Sequence, residues 1–258
     1  MNDVFARIVC GVDGSEAART AVAQARRLAT AESQLVLVSI GESHLAVHAG
    51  AMAPKVRAEI DSEAQAALEQ VAEPGDESRL VHGRAAETFV RIASEENATL
   101  VAVGSHEKHR GRGIVLGSVA TRVVHDAPCS VLIARAPAEW EPDRFPRSIV
   151  VGVDGSQASL AAAAVAQELG ARVGADVTIL AAAGSASDLD EGGLTRTGLA
   201  FERRDAEPVP ALVEASRSTD LLVLASRGLR GVRALGSVGE RVAHQAHCSL
   251  LVVRPPTS

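Results

Sequence analysis

Residues 8–15 read IVCGVDGS, and residues 149–156 read IVVGVDGS. In both stretches a short apolar run ends at Asp-Gly-Ser and is followed by an alanine-rich segment. A continuous apolar run of this length is typical of a strand that is covered on both faces of a parallel sheet. The serine stands where the N-cap of a helix belongs, so each stretch predicts a strand, a tight turn and a helix.

The chain also ends each copy of this pattern in the same way. Residues 116–135 read LGSVATRVVHDAPCSVLIAR, and residues 235–254 read LGSVGERVAHQAHCSLLVVR. The openings lie 141 residues apart and the endings 119, so the second copy is 22 residues shorter. We therefore expect a tandem duplication: a first copy over residues 1–135, a proline-rich linker over 136–147 and a second copy over 148–258, shortened between its second and third strands.

Strand and helix patterns alternate within each copy. This alternation predicts an α/β fold in which each copy forms a five-stranded, mainly parallel open sheet with helices on both faces. The predicted strands of the first copy are Arg7–Val12, Gln34–Ile40, Arg79–His82, Leu100–Val103 and Cys129–Ala134. Those of the second copy are Ser148–Val153, Val177–Ala182, Leu199–Arg203, Leu221–Ala225 and Ser249–Val253.

Composition argues against several classes of function. Four Phe, one Trp and no Tyr leave few rings for base stacking, and the net charge of -6 does not attract polyanions, so nucleic acid is not expected as a partner. No apolar run is long enough to span a membrane, and the N-terminus lacks a signal-peptide pattern, so we expect a cytoplasmic protein. The scattered cysteines Cys10, Cys129 and Cys248 predict buried, inert thiols, and we expect no metal site.

Three elements of each copy fall at the carboxyl ends of the predicted strands, where open parallel sheets bind ligands. The first is Asp13, or Asp154 in the second copy, whose carboxylate either accepts hydrogen bonds from a ribose or a base or caps the following turn. The second is the glycine-rich loop that begins at Gly104. The third is Gly117-Ser118, where a helix N-terminus attracts phosphate. Ser118 is expected to cap this helix, and either it also donates its hydroxyl group to a ligand or Gly117-Ser118 forms only a turn and a cap with no ligand.

These openings, loops and endings resemble those of the universal stress protein family, over nearly the whole chain outside the linker. The resemblance implies two universal stress protein domains in one chain, whose last strands pair across a pseudo-two-fold axis. Nucleotide-binding members carry Gly-x2-Gly-x9-Gly-[Ser/Thr] after the fourth strand. They hold ATP with that loop, an Asp after the first strand and a residue that ends the second strand.

Carried onto this sequence, the resemblance implies a set of adenine-nucleotide contacts in each copy. In the first copy they are Asp13, Ile40, Gly104, Gly117, Ser118 and Val119, and in the second copy Asp154, Gly228, Gly236 and Ser237. Glu107 replaces the second glycine of the first copy's loop. In the second copy Ala225 replaces the first glycine, the loop is two residues shorter, and Ala182 is small where Ile40 stands in the first copy. We therefore expect the first copy to be the better ATP site, with the need for Mg²⁺ left open.

The resulting hypothesis is a regulatory stress-response protein that binds ATP or another adenine nucleotide with little or no turnover. We do not expect an enzyme, because no positioned general base is evident in the sequence. Two alternatives stay open: an interaction or dimerisation module that binds no nucleotide, and a slow ATPase. The expected partners are the nucleotide and an unidentified protein, and two such chains could associate further as a homodimer.

Overall fold

The computed structural model describes residues 4–42, 52–105, 116–136, 141–183, 199–226 and 236–254. Gly228, Glu107 and the linker residues 137–140 lie outside these ranges. Within the described residues, no helix combines the length and the apolar character needed to cross a membrane.

The first copy contains five strands and four helices in its described residues. They are β1 (Arg7–Gly11), α1 (Glu16–Leu28), β2 (Gln34–Gly41), α2 (Ala53–Glu69), β3 (Glu77–His82), α3 (Ala85–Glu95), β4 (Leu100–Gly104), α4 (Ser118–Asp126) and β5 (Ser130–Ala134). The described part of the second copy contains β6 (Ser148–Gly152), α5 (Gln157–Val173), β7 (Asp176–Ala182), β8 (Ala200–Arg204), α6 (Pro208–Ala215), β9 (Leu221–Ala225), α7 (Gly236–Gln245) and β10 (Ser249–Val253). All ten predicted strands are present, each ending within two residues of its expected bounds.

All ten strands join one continuous sheet in the order β3-β2-β1-β4-β5-β10-β9-β6-β7-β8. Read from the centre outward, the two halves have the same order, as expected for two domains related by a pseudo-two-fold axis. Pairing is parallel within each copy, and β5 and β10 meet antiparallel, with Leu132 opposite Leu251. The predicted α/β fold and the predicted pairing of the last strands are therefore confirmed.

Helices cover both faces of the sheet. Side chains that point to one face, such as Cys10 and Leu132, pack with α1, α2 and α5. Their neighbours Val9 and Val131 point to the other face and pack with α3, α4, α6 and α7. This is why the central strands read as continuous apolar runs rather than as alternating ones.

The three cysteines are free and buried in this core. Burial raises the pKa of Cys10, Cys129 and Cys248 to about 12 in each case. The predicted burial of the three thiols is therefore confirmed, and because the thiolate is the reactive form, their low reactivity at neutral pH stays a prediction.

A buried polar network crosses the seam between β5 and β10. Gln24 of α1 donates from Nε2 to the Arg135 carbonyl oxygen at 2.9 Å and accepts at Oε1 from Ser249 Oγ at 2.7 Å. The Arg135 amide in turn donates to Ser249 Oγ at 3.0 Å. In the second copy, Val165 stands at the position of Gln24. Because a valine side chain has no polar atom, the bridge from Gln24 of α1 to the second copy has no symmetric counterpart at Val165.

The described end of the linker packs on the first copy. The proline-rich sequence predicted an extended connection, but Pro142–Arg144 form a 3₁₀ turn. Phe145 is buried, and its carbonyl oxygen accepts a hydrogen bond from Arg27 Nε of α1 at 3.2 Å. This segment is therefore part of the core packing rather than a free spacer.

Candidate functional site

The first copy has a crevice where the strand order reverses. The strand β1 pairs with β2 on one side and with β4 on the other. The chain leaves β1 through α1 on one face of the sheet and approaches β4 through α3 on the opposite face. The two connections diverge at the carboxyl ends of β1 and β4, which is where ligands bind in open α/β sheets.

A cavity of about 420 Å³ occupies this crevice. Cavities of this size accommodate small organic ligands. The lining includes all six positions that the resemblance implied for the first copy: Asp13, Ile40, Gly104, Gly117, Ser118 and Val119. The other lining residues within the described part of the chain are Gly11, Val12, Ser15, Ala18, Val38, Ala85, Phe89, Val103, Leu116 and Ala120.

One wall of the cavity is apolar and was not predicted as part of the site. It is formed by Phe89 and Ala85 of α3 together with Val38 of β2. In the sequence, helical spacing over residues 85–97 predicts only that Phe89 shares the inward face with Ile92 and Ala93. The Ala85 amide donates to Glu42 Oε1 at 3.2 Å, which fixes the start of α3 against the end of β2. This wall suits the flat, apolar faces of an aromatic ligand.

Asp13 is exposed at the mouth of the cavity and already has a local role. Its Oδ1 atom accepts hydrogen bonds from the Ser15 amide at 3.0 Å and from Ser15 Oγ at 2.5 Å. Ser15 Oγ accepts from the Ala18 amide at 3.1 Å and so caps α1, as the sequence predicted. Of the two roles left open for Asp13, the structure contains the turn-capping one, and contact with a ligand stays a prediction.

The N-terminus of α4 opens into the same cavity. Gly117 is the N-cap, with φ -62° and ψ 160°, and within the described residues no side chain caps this helix end. The expectation that Ser118 caps the helix was therefore wrong, because Ser118 is the first helical residue, one position too late to fold back on the first turn. Ser118 is exposed and lines the cavity, so its hydroxyl group and the uncapped amides are available to an anion.

Gly104 allows the closest approach of a helix to the sheet beside the cavity. A Cβ atom at this position would lie 2.4 Å from the Ala17 carbonyl carbon and 2.5 Å from its oxygen. Only glycine permits this distance between β4 and the first turn of α1. The described contacts thus assign Gly104 a packing role in forming the cavity wall.

The second copy departs from this arrangement in its packing. A Cβ on Gly152 would lie 2.8 Å from Leu224 Cδ2 and 2.9 Å from Leu212 Cδ2. At Gly11 of the first copy, the corresponding contacts are 3.4 Å to Phe89 Cε2 and 3.6 Å to Val103 Cγ1. Leucine side chains therefore crowd the end of β6 more closely than the first copy's side chains crowd the end of β1.

The predicted site residues of the second copy are only partly described. Asp154 Oδ1 accepts from the Ser156 amide at 3.0 Å, the same turn that Asp13 makes. Burial opposes ionisation there, but the hydrogen bonds from Ser156 outweigh it and hold the pKa of Asp154 below its ordinary value. Gly236 and Ser237 begin α7, and Gly228 lies outside the described residues. Ala182 is buried at the end of β7.

Comparisons with known proteins agree with this fold. The chain matches the profile of the Universal stress protein family over residues 5–135 and 182–254. Universal stress protein Rv2623 of Mycobacterium tuberculosis is 30% identical over 210 residues, which cover 70% of this chain and 69% of that protein. Universal stress protein Rv2005c of the same organism is 30% identical over 210 residues, covering 69% of this chain and 68% of that protein.

A solved structure extends the agreement in fold to nearly the whole chain. The crystal structure of a universal stress protein from Archaeoglobus fulgidus covers 98% of this chain and 99% of its own, with a TM-score of 0.69 and 17% identity. At this identity the likeness concerns the fold alone. The two profile matches and the mycobacterial relatives establish the family: this chain belongs to the universal stress protein family, and it contains two regions of that family in tandem.

Proposed function

We propose that this chain is a regulatory protein that binds an adenine nucleotide in the cavity of the first copy, with little or no turnover. The observation that carries the proposal is the cavity at the carboxyl ends of β1 and β4, lined by all six positions at which the sequence resembles nucleotide-binding universal stress proteins. In this arrangement the purine would lie against the apolar wall of Phe89, Ala85 and Val38, with Ile40 also lining the cavity, and the phosphates would lie at the N-terminus of α4.

The chemistry of the lining supports these separate positions for the purine and the phosphates. Phe89, Val38 and Ile40 offer apolar surface to a base, whereas Gly117 and Ser118 offer amide and hydroxyl donors to a phosphate. A helix N-terminus carries a partial positive charge, which favours an anion by about 0.3–1 kcal/mol when exposed and by more when partly buried. Lys108, Arg110 and Arg112, in the loop outside the described residues, add positive charge to that segment of the sequence.

The proposal of slow or absent turnover is supported by the ionisable groups in the described part of the cavity, which include no well-placed general base. Among the described residues that line the cavity, Asp13 is the one with an ionisable side chain. Its Oδ1 atom is engaged by Ser15. A general base must reach the proton it removes within hydrogen-bond distance, and no second candidate lines the described part of the cavity.

The proposal is tested by titrating the protein with Mg-ATP in a calorimeter and comparing it with a Gly117→Asp variant. Aspartate is a favoured N-cap residue, and the φ and ψ of Gly117 suit it, so this variant should stabilise α4 as a helix. Its carboxylate would nevertheless stand at the expected phosphate position and repel the ligand. Gly236→Asp, at the equivalent position of the second copy, is the matched control.

We expect Gly117→Asp to weaken Mg-ATP binding at least about tenfold, which corresponds to about 1.4 kcal/mol, and Gly236→Asp to leave it within about twofold. Equal affinity in Gly117→Asp and the parent would refute the assigned site. No heat with the parent protein would instead favour the interaction-module alternative. Release of phosphate from ATP as fast as the ligand exchanges would contradict the proposal of little or no turnover.

A further inference from the structure

The helix α4 connects the cavity of the first copy to the second copy. Its N-terminus, at Gly117 and Ser118, lines the cavity. Near its other end, the Val124 carbonyl oxygen accepts a hydrogen bond from Nη2 of Arg254, a residue of the second copy. The nine residues of α4 span about 13 Å, so one short helix joins the cavity to a cation supplied by the other half of the chain.

The same contact occurs in reverse on the other side of the seam. Arg135 of the first copy donates from Nη2 to the Ala243 carbonyl oxygen of α7 at 2.5 Å and from Nη1 to the Cys248 carbonyl oxygen at 3.0 Å. Arg135 and Arg254 occupy equivalent positions of the repeat, as do Ala243 and Val124. The amides of both arginines also bond to equivalent serines, Ser249 and Ser130.

Each arginine thus places a positive charge at the C-terminal end of the other copy's last helix. A cation is favourable there for the same reason that an anion is favourable at the N-terminus, because both complement the helix dipole. An anion bound at Gly117 and a guanidinium at Val124 therefore act on the two ends of one helix. If α4 shifts or frays, both contacts weaken together.

We infer that Arg254 is a positioning residue for the nucleotide site of the first copy: by holding the C-terminal turn of α4, the second copy keeps the N-terminal turn in place to receive the phosphate. This inference rests on the proposed function. The second copy thereby contributes to nucleotide binding in the first copy, even when the second copy's own predicted site binds nothing. By linkage, the ligand strengthens the Arg254 contact as much as that contact strengthens ligand binding.

The repeat supplies a matched control for the test. Arg254→Met removes the charge at α4 and puts an unbranched apolar side chain in its place, and Arg135→Met does the same at α7. Arg135 is 4% exposed, and burial lowers its pKa to about 10, whereas Arg254 is partly exposed. The control variant Arg135→Met should therefore disturb the fold more than Arg254→Met does. Each variant is titrated with Mg-ATP, and its stability is measured separately by urea unfolding.

We expect Arg254→Met to weaken Mg-ATP binding about three- to tenfold, which lies within the range by which single residues alter coupling between sites, and Arg135→Met to leave it within about twofold. Arg254→Lys, which keeps the charge, should recover part of the loss. Equal affinities in Arg254→Met and the parent, or an equal loss in both methionine variants, would overturn the inference while leaving the proposed function intact. Absence of binding in the parent would overturn the proposed function itself.

Hydrogen exchange of the unaltered protein gives a second test that does not depend on the folding of a variant. Saturation with Mg-ATP should slow exchange in the last turn of α4 and at the Arg254 amide, which donates to Ser130 Oγ at 3.1 Å. The Arg135 amide, which is bonded to Ser249 Oγ, should keep its rate. Slowing restricted to the first turn of α4 would contradict the coupling.

Discussion

Replacing Gly104 with alanine tests how closely β4 and α1 must approach to form the cavity. The added Cβ would lie 2.4 Å from the Ala17 carbonyl carbon, whereas ordinary contacts begin at 3.4 Å. The first turn of α1 must therefore retreat by about 1 Å, and overpacking of this kind costs about 1–3 kcal/mol. Because Asp13 and Ser15 lie directly before this turn, the retreat should also displace one side of the cavity.

The assay is urea-induced unfolding at neutral pH, followed by far-ultraviolet circular dichroism, with Ala225→Gly as the matched control. Ala225 stands at the equivalent position in the second copy and already carries a Cβ. Removing it should cost at most about 1 kcal/mol through the entropy of the unfolded chain. A free energy of unfolding for Gly104→Ala within about 0.5 kcal/mol of the parent value would refute the steric argument. Changes of that size are typical of substitutions on the protein surface, where an added methyl group meets no neighbour.

Three further predictions concern the edge, the seam and the core. Glu77 accepts hydrogen bonds from Arg79 and Arg7, which hold its pKa below the ordinary 4.5; its contribution to stability is therefore present above that pH and lost as the pH falls through the lowered value. Thermal unfolding in acid should show a shallower pH dependence for Glu77→Gln than for the parent. Ser249→Ala, which removes the hydroxyl group between Gln24 and Arg135, should destabilise the protein by about 1–3 kcal/mol in urea, and by more than Ser130→Ala; equal losses would argue against the asymmetric bridge. The three buried thiols should stay unreactive toward a thiol reagent in the native protein and all react once it is unfolded, and rapid native labelling of any one would contradict its burial.

The repeat and the alternation of patterns were sufficient to predict the sheet. Apolar runs that end in Asp-Gly-Ser located β1 and β6, and the serine caps of α1 and α5 formed as expected. The pairing of β5 with β10 came from the family resemblance, and it agrees with two apolar strands that would otherwise be exposed edges.

The cavity wall was harder to predict because a helical period gives direction only relative to the helix axis. Phe89 was expected to point inward, but whether an inward side chain meets the core or a cavity depends on where neighbouring strands end. The α2 helix illustrates the same limit. Its sequence places Val56, Ile60, Ala64 and Leu68 on one helical face, but this spacing does not show how deeply each is covered: Leu68 is buried, whereas the other three are half-buried.

The role of the seam arginines could not be predicted from either copy alone. Arg135 and Arg254 each follow an apolar strand, and nothing in the local sequence specifies a partner. Their acceptors lie on the opposite copy, more than 100 residues away in the sequence. The error at Ser118 has a related cause, because the position of a helix cap depends on where the preceding loop turns.

The most direct test of the central claim is to denature the purified protein and identify released small molecules by chromatography and mass spectrometry, followed by titration of ligand-free protein with Mg-ATP. We predict an adenine nucleotide at about one per chain, or saturable binding at that ratio, because the cavity belongs to the first copy. No released nucleotide together with no binding heat would contradict the account.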